Sequence, residues 1–320
     1  MKNNEFFSTP ILLIIWRRPR ETNEAINALR KVKPEKLFIA CDGPRKGNIK
    51  ESDKVQKTIA ICKEQINWDC EVKWLISEKN LGCKDGVNKA INWFFEHVKE
   101  GIIMEDDNLA HPDFFAFCQE LLQKYRFDKR VWCISGTNNQ DGIIRGDASY
   151  YFGKTYLCWG WATWKDRWAE YDTDMKQWPY IKSNNKLDDI FKDKIQKEYW
   201  QNIFETFYEK GEPDTYDYQW VLTCFINNGL VAIPNKNLIN NIGFGEDALH
   251  TKWEKKSVSE TESIGEKISH PKYILCDEKA EEYQFDYFFG GYSIRLKNNF
   301  ILRLKNKLKR ILKIKVNKYS

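Results

Sequence analysis

The 320-residue sequence has no apolar run long enough to cross a membrane. Its first apolar run covers residues 11–16 and is followed at once by Arg17 and Arg18, which makes it too short for a membrane span or a signal-peptide core. Charged residues make up 30% of the chain, a share that excludes an integral membrane protein. We therefore expect a cytoplasmic protein in which residues 11–16 form a buried strand.

The sequence also lacks the motifs of zinc sites. None of the nine cysteines forms a CxxC pair, and the chain has only four histidines, so a zinc site is disfavoured. The number of cysteines is odd, and several lie in apolar runs, where cysteine behaves as a small hydrophobic residue. Free thiols in a reducing compartment are the expected state.

Three motifs of nucleotide-binding and hydrolytic enzymes are missing as well. No GxGxxG follows the first predicted strand, which disfavours a dinucleotide-binding site. The chain has neither a GxxxxGK[ST] phosphate loop nor a GxSxG nucleophile elbow. P-loop enzymes and α/β-hydrolases are therefore poor matches.

Positive charge is concentrated at the C-terminal end. From Arg295 onward the chain carries ten basic residues and no acidic one, which brings the net charge of +5 down to −5 for residues 1–294. An acidic body does not favour nucleic-acid binding. Apolar residues at helical spacing in residues 300–312 predict a basic amphipathic helix on an anionic membrane surface. The alternative is a solvated helix whose apolar stripe packs on the domain.

Strands and helices alternate over the first 135 residues. Short apolar runs predict strands at residues 11–16, 37–41, 72–76, 101–104 and 131–135. Amphipathic patterns predict helices at residues 21–29, 52–65, 84–98 and 112–125, with Ser52 capping the second. This alternation predicts an α/β fold with a mostly parallel, doubly wound sheet.

The alternation ends near residue 145. A loop rich in Gly and Trp is expected at residues 159–164, a polar helical stretch at 183–210, and a helix at 217–227. A loop containing glycines and acids follows at residues 243–250. No domain boundary is evident before the basic tail, residues 292–320.

Charged side chains follow three of the predicted strands. Arg18 follows the first, Asp42 the second, and the triplet Glu105, Asp106 and Asp107 the fourth. In an open α/β sheet, ligands bind outside the carboxyl ends of the strands. Carboxylates at this position can bind Mg²⁺ or Mn²⁺, with substrate phosphates completing the coordination shell of the metal. Alternatively, the triplet only places favourable negative charge near the N-terminus of the following helix.

Other polar groups near this edge have two interpretations each. Asp42 is placed to accept hydrogen bonds from a nucleobase or ribose, and Arg18 to meet a phosphate or base, but they also suit a turn and an exposed surface. Asn80 and Gly82 begin the third predicted helix, where backbone N–H groups face a phosphate or simply cap the helix.

These residues together resemble a metal-dependent GT-A glycosyltransferase with a Rossmann-like fold. The sequence is most similar to N-acetylglucosaminyltransferase I and its bacterial relatives, over about residues 8–250. The resemblance rests on residues 10–15, Arg18, Asp42, 105–107, 112–115, 131–135, 159–161 and 216–220. It implies one catalytic domain, residues 1–291, with a nucleotide-binding half at about 8–140 and an acceptor half at about 141–291.

The resemblance also implies roles for single residues. Asp107 would ligate the metal, Glu105 would hydrogen-bond the donor sugar, and Asp106 would face the ribose or a metal-bound water. Asp217 matches the general base, and His250 matches a late histidine that touches metal or phosphate. Arg18 and Asp42 would hold the nucleotide, most often uridine.

Aromatic residues near these positions suit a sugar. Trp159 and Trp161 would form a wall of the donor or acceptor site, and Trp220 would stack on the sugar beside Asp217; ordinary core tryptophans are the alternative. The implied reaction moves a sugar, GlcNAc among the candidates, from a UDP-sugar to the hydroxyl of a glycan or lipid-linked acceptor. A sugar-1-phosphate nucleotidyltransferase and a non-catalytic glycan-binding module at the membrane surface remain the alternatives.

Overall fold

An eight-stranded sheet forms the centre of the protein. The structure is a computed structural model, and it describes residues 7–243, 260–298 and 304. The strands are β1 Ile11–Ile15, β2 Lys36–Cys41, β3 Glu71–Ile76, β4 Glu100–Glu105, β5 Asn108–Ala110, β6 Val131–Ser135, β7 Tyr150–Gly153, β8 Trp161–Trp164, β9 Leu230–Pro234 and β10 Ile239–Asn241. The helices are α1 Pro19–Val32, α2 Ile49–Gln65, α3 Gly82–His97, α4 Pro112–Tyr125, α5 Lys165–Trp168, α6 Trp178–Ser183, α7 Leu187–Ile190, α8 Lys194–Lys210, α9 Asp217–Ile226, α10 Glu278–Tyr287 and α11 Gly291–Asn298.

The sheet is mostly parallel, as the alternation predicts. Its order is β3-β2-β1-β4-β8-β6-β9-β7, and only β8 and β7 run antiparallel to their neighbours. The two remaining strands, β5 and β10, pair with each other outside this sheet. The predicted α/β fold with helices around a central sheet is confirmed.

Helices cover both faces of the sheet because its central strands are apolar on both sides. In β1, Ile11 and Leu13 pack into one core cluster with side chains of α1, α2 and α4. Leu12, between them, points to the other face and packs with side chains of α3, α8 and α9. Successive strand residues alternate between faces, so one apolar strand contributes to both halves of the core.

Helix α2 begins earlier than the sequence predicts. Asn48, rather than Ser52, is its N-cap, and its side-chain oxygen accepts a hydrogen bond from the Glu51 N–H at 3.1 Å. Asn and Ser are equally good caps, so the prediction from Ser52 alone was wrong by one turn. The polar stretch at residues 183–210 likewise divides into short α7 and long α8.

The predicted tryptophan-rich loop is partly a strand. Its loop portion ends at Gly160, and Trp161–Trp164 form β8, which pairs with β4 and β6. All four residues of β8 are buried. Trp161 and Trp164 pack into the two core clusters on either side of the sheet, which an extended segment allows.

Only the beginning of the predicted tail helix falls within the described residues. Helix α11 is described over Gly291–Asn298, and Leu304 is the one further residue described, with 46% of its surface exposed. In the part of the chain described, no helix has the length and apolar character needed to cross a bilayer.

Replacing Trp220 with Ala tests how far α9 depends on its core face. The side chain is 0% exposed, so we expect the free energy of unfolding to fall by about 3–5 kcal/mol, from lost transfer energy plus a cavity. Phe127→Ala is the control, because Phe127 is 88% exposed and its loss should change stability by less than about 0.5 kcal/mol. Equal changes in urea unfolding for both variants would contradict the assignment of Trp220 to the core.

Candidate nucleotide site and adjoining cavity

The carboxyl ends of β1, β2 and β4 meet at one edge of the sheet. A cavity of about 230 Å³ opens there and is lined by several of the residues that the sequence singled out. These are Arg18, Asp42, Asn80, Gly82, Glu105 and Asp106. The structure therefore brings together side chains that are up to 88 residues apart in the chain.

Two members of the acidic triplet, Glu105 and Asp106, line this cavity, and the third, Asp107, lies beside them. Glu105 ends β4, and Asp106 and Asp107 form the turn before β5. The Arg18 guanidinium lies 3.1 Å from Asp106 Oδ1 and 2.6 Å from Asp107 Oδ2. Asp106 Oδ2 also accepts a hydrogen bond from the Trp16 backbone N–H at 3.1 Å.

One guanidinium, that of Arg18, lies beside three carboxyl groups, of which Asp106 and Asp107 are buried and Glu105 is half-buried. Burial first, and then the charges of Asp107 and Asp106, raise the pKa of Glu105 to about 8. Burial likewise raises the pKa of Asp106 to about 7, although Arg18 opposes the rise. The triplet thus has more carboxyl groups than Arg18 alone can neutralise, and a cation bound beside it would lower their pKa values.

A divalent cation fits the chemistry of these groups, because hard cations prefer carboxylate oxygens and take their remaining ligands from phosphates or water. Asp107 is the ligand that the resemblance implies; its Oδ1 accepts a hydrogen bond from Asn108 Nδ2 at 2.8 Å and its Oδ2 lies 2.6 Å from the Arg18 guanidinium, so a cation would have to share the carboxylate with these partners. Among the residues described, no three His, Cys, Asp or Glu side chains are grouped as a metal cage. A metal here would therefore depend on one or two carboxylates together with the ligand's own oxygens.

Asp42 organises the loop that precedes α3. Its carboxylate accepts hydrogen bonds from Asn80 Nδ2 at 2.8 Å, from the Leu81 N–H at 3.0 Å and from the Gly43 N–H at 2.9 Å. Burial raises its pKa, and these N–H donors oppose the rise. The predicted nucleotide contacts Asp42, Asn80 and Gly82 are thus one connected unit on the cavity wall.

An ion-pair cluster beside the cavity was missed by sequence reasoning. The buried Glu51 carboxylate contacts Arg17 and Arg45, each at 2.8 Å, and Arg45 lines the cavity. Both guanidinium groups also lie over the Trp16 ring, at 4.4 and 5.3 Å from its centroid. No local pattern marks this cluster, because Glu51 lies in the first turn of α2 and reads as a helix-terminal acid.

Glu51→Gln should expose the contribution of this cluster to stability. Burial alone would raise the pKa of Glu51, but its bonds to Arg45 and the charge of Arg17 outweigh burial and lower it. Because its pKa is lower in the folded than in the unfolded protein, ionised Glu51 stabilises the fold at pH values above 4.5, and this stabilisation is lost as the pH falls through the folded-state pKa. At pH 7 we expect the variant to lose about 1–3 kcal/mol of unfolding free energy.

The difference between wild type and Glu51→Gln should then shrink below pH 4.5. Urea unfolding at pH 7 and at pH 3.5–4.5 measures this, where the fold persists. Glu64→Gln, an exposed position on the same helix, is the control and should show little difference at either pH. A pH-independent loss for Glu51→Gln would contradict the ion-pair account.

A second cavity of about 430 Å³ adjoins the first, and Arg18, Cys83 and Glu105 line both. Asp107 and Asp217 also line the second cavity. The two spaces therefore meet over the acidic triplet.

Asp217 is the first residue of α9. Its Oδ1 accepts hydrogen bonds from the Thr215 hydroxyl and from the Tyr218 N–H, the latter at 3.0 Å. The neighbouring Tyr216 hydroxyl donates to Glu105 Oε1 at 3.4 Å, which ties the start of α9 to the end of β4. Asp217 thus lines the same cavity as Asp107.

The three predicted sugar-stacking tryptophans have different positions. Trp159 is half-buried and lines the second cavity. Trp161 is 1% exposed and Trp220 is 0% exposed, so neither presents a face to a ligand, and their assignment to a sugar wall was wrong. Trp161 packs against Tyr156 and Trp220, and the Trp220 ring N–H is 3.0 Å from Cys133 Sγ. The predicted metal contact His250 lies outside the described residues.

Comparisons with known proteins give only distant similarities. No protein-family model matches the chain, and no curated protein matches it. A UDP-glucose pyrophosphorylase in complex with UDP-glucose is similar, with 9% identity, a TM-score of 0.40, and coverage of 71% of this chain and 90% of that one. The inositol-1-phosphate CTP transferase of T. maritima has 11% identity and a TM-score of 0.34, covering 76% and 93% of the two chains.

A third similar structure is the 4-diphosphocytidyl-2C-methyl-D-erythritol synthase of Anaerococcus prevotii, with 11% identity, a TM-score of 0.31, and coverage of 69% of this chain and 97% of that one. Each of the three names contains a nucleotide, and none is that of an N-acetylglucosaminyltransferase. The predicted closeness to that transferase stays a prediction. At these TM-scores the similarity carries no conclusion about the reaction.

Proposed function

We propose that the protein is a transferase that binds a nucleoside diphosphate sugar and moves the sugar to an acceptor hydroxyl. One observation supports this most directly. The cavity with the candidate nucleotide contacts and the cavity with Asp217 meet over Glu105 and Arg18. A donor in the first space would place its anomeric carbon near the second, where an acceptor and a base have room.

Residues of the first cavity, together with Asp107 of the second, would bind and orient the donor. The unit formed by Asp42 and Asn80 would contact the nucleoside, and Arg18 would face the diphosphate. Asp107 would hold Mg²⁺ or Mn²⁺, and such an ion supplies charge neutralisation for a departing diphosphate. Glu105, at the junction of the two cavities, would accept hydrogen bonds from hydroxyl groups of the donor sugar.

Asp217 would act as the general base. An acceptor hydroxyl is a weak nucleophile at neutral pH, and a carboxylate within hydrogen-bond reach takes its proton as the bond to the anomeric carbon forms. The diphosphate leaves with its bonding electron pair from the opposite side. A single in-line displacement of this kind inverts the anomeric carbon. The half-buried Trp159 offers one face against which the sugar or acceptor would pack.

Uridine is the proposed base of the donor, and GlcNAc is one candidate sugar. A glycan or lipid-linked acceptor is proposed because the second cavity, at about 430 Å³, is larger than the first and residues from Arg295 onward are basic. These identities extend the sequence resemblance, and the nucleotide-binding and acceptor halves at residues 8–140 and 141–291 are proposed with them.

The basic tail, residues 292–320, is proposed to hold the protein at an anionic membrane surface. Replacing the Lys and Arg residues of 303–318 with Gln should strongly reduce sedimentation with vesicles rich in anionic lipid, because each basic residue near the surface contributes about 1 kcal/mol. Neutral vesicles are the control and should bind neither protein. If the variant with these Gln substitutions binds anionic vesicles as well as the wild type does, the membrane role of the tail is contradicted.

Nucleotidyl transfer from a nucleoside triphosphate to a sugar phosphate is the second candidate. The observation that favours it is the number of cations around the first cavity, because Arg18, Arg45 and Lys89 all line it and would suit a triphosphate. UDP-glucose pyrophosphorylase, named above, carries the name of this reaction class. Residues 16–20 contain no glycine, whereas that class normally needs a glycine-rich loop after the first strand.

One pair of assays distinguishes the candidates. The purified protein is incubated with UDP-sugars and Mn²⁺, and release of UDP is measured with and without simple acceptor sugars. In parallel it receives UTP with sugar 1-phosphates, and release of pyrophosphate is measured. UDP release alone supports glycosyl transfer, pyrophosphate release alone supports nucleotidyl transfer, and nucleotide binding without either product would favour a non-catalytic glycan-binding module.

A further inference from the structure

The N-terminus of α3 is occupied by a carboxylate from a distant part of the chain. Asp214, in the segment 211–216 that joins α8 to α9, accepts hydrogen bonds from the Cys83 N–H at 2.7 Å and from the Lys84 N–H at 2.9 Å. The first N–H groups of a helix have no partner within the helix, and the positive end of the helix dipole favours an anion. Asp214 therefore caps α3 across 131 residues of sequence.

Gly82 makes this close approach possible. Its φ is +85°, in the left-handed region that favours glycine, and a Cβ there would lie 2.5 Å from Asp214 Oδ2. Any other residue at position 82 would push the carboxylate away from α3. The backbone of Gly82 and the side chain of Asp214 thus fit each other specifically.

The same segment leads directly to the candidate base. The Thr215 hydroxyl donates a hydrogen bond to Asp217 Oδ1, and the Tyr216 hydroxyl donates one to Glu105 Oε1. Asp214 lines the first cavity, whereas Asp217 lines the second. Four consecutive residues therefore connect the wall of the candidate nucleotide cavity to the candidate base.

We propose that Asp214 is a positioning residue that holds Asp217 in place by fixing this segment to α3. The inference rests on the proposed function only where it concerns catalysis. Because Asp214 is bonded to α3 on the cavity wall, it sets where α9 begins and hence where the Asp217 carboxylate lies relative to Glu105. Both oxygens of its carboxylate accept backbone N–H groups of α3, which assigns it a positioning role through Asp217.

Two variants test the proposal by hydrogen exchange and by kinetics. Asp214→Ala removes both acceptors, and Asp214→Asn keeps one oxygen. We expect amide exchange of residues 83–84 and 215–218 to become about tenfold faster or more in the Ala variant, with the Asn variant between it and wild type. Turnover should fall about tenfold, because the base is no longer held, while the dissociation constant for UDP with Mn²⁺ stays within about twofold.

Asp277→Ala is the matched control. Asp277 is also a helix N-cap, accepting the Ala280 N–H at 3.0 Å at the start of α10, but it lines neither cavity. Its loss should change neither turnover nor exchange at residues 215–218. Gly82→Ala should displace the Asp214 carboxylate by steric overlap and so reproduce the exchange pattern of Asp214→Ala.

Three results would overturn the proposal. Unchanged exchange at residues 215–218 in Asp214→Ala would show that the contact does not hold the segment. Unchanged turnover would show that holding it is irrelevant to catalysis. A loss of UDP affinity as large as the loss of turnover would make Asp214 a nucleotide contact instead. If the wild-type protein neither binds nucleotides nor releases UDP, the proposed function fails, and exchange alone decides the positioning role.

Discussion

Asp217→Asn is expected to reduce sugar transfer by about 10²–10⁴-fold and to leave nucleotide binding within about twofold. The amide is nearly the same size and still accepts the hydrogen bonds that Thr215 and Tyr218 give to Asp217, so the start of α9 should keep its place. It cannot take a proton from an acceptor hydroxyl. The loss should therefore fall on kcat rather than on the donor's KM.

Asp53→Asn serves as the control for this result, because Asp53 is an exposed carboxylate on α2. Transfer is followed as UDP released in the presence of acceptor, and thermal unfolding checks that both variants are folded. Full turnover in Asp217→Asn would remove Asp217 from the mechanism. A parallel loss of UDP binding would assign it to the donor site instead.

Asp107→Ala is expected to weaken metal-dependent nucleotide binding by about 100-fold or more and to abolish turnover. The variant removes the carboxylate that is proposed to share a cation with a diphosphate. Arg18 keeps Asp106 as a partner at 3.1 Å, so the protein should remain folded. Binding is measured by calorimetry with UDP, with and without Mn²⁺.

Gly243→Ala is an independent way to disturb the same carboxylate. A Cβ at Gly243 would lie 2.1 Å from Asp107 Oδ2, so the side chain must move. We expect weaker Mn²⁺-dependent binding of UDP, with metal-free binding unchanged. Wild-type binding and turnover in both Asp107→Ala and Gly243→Ala would contradict the assigned role of Asp107.

The strand ends explain why much of the site is predictable from sequence. Asp42 and the residues 105–107 each follow a short apolar run, and parallel strands bring their carboxyl ends to one edge. The order of strands and helices is thus enough to place these groups together. Their distances and hydrogen bonds depend on the packing of α1 and α3 and are not contained in the pattern.

Tertiary packing explains what the sequence did not reveal. Trp161 and Trp220 look the same in the sequence as Trp159, yet two are core residues and one faces a cavity. Burial of a tryptophan depends on elements far away in the chain, such as the contact of Trp220 with Cys133. The cap that Asp214 forms on α3 is equally invisible, since 131 residues separate Asp214 from Cys83.

A thermal-shift series shows whether the carboxyl edge of the sheet binds a nucleotide. UDP, GDP, CMP and TDP are each added with and without Mn²⁺. We expect a rise in Tm with UDP that requires Mn²⁺, because bound nucleotide and metal stabilise the folded state by mass action. No rise with any of the four nucleotides, with or without Mn²⁺, would contradict a nucleotide site at this edge.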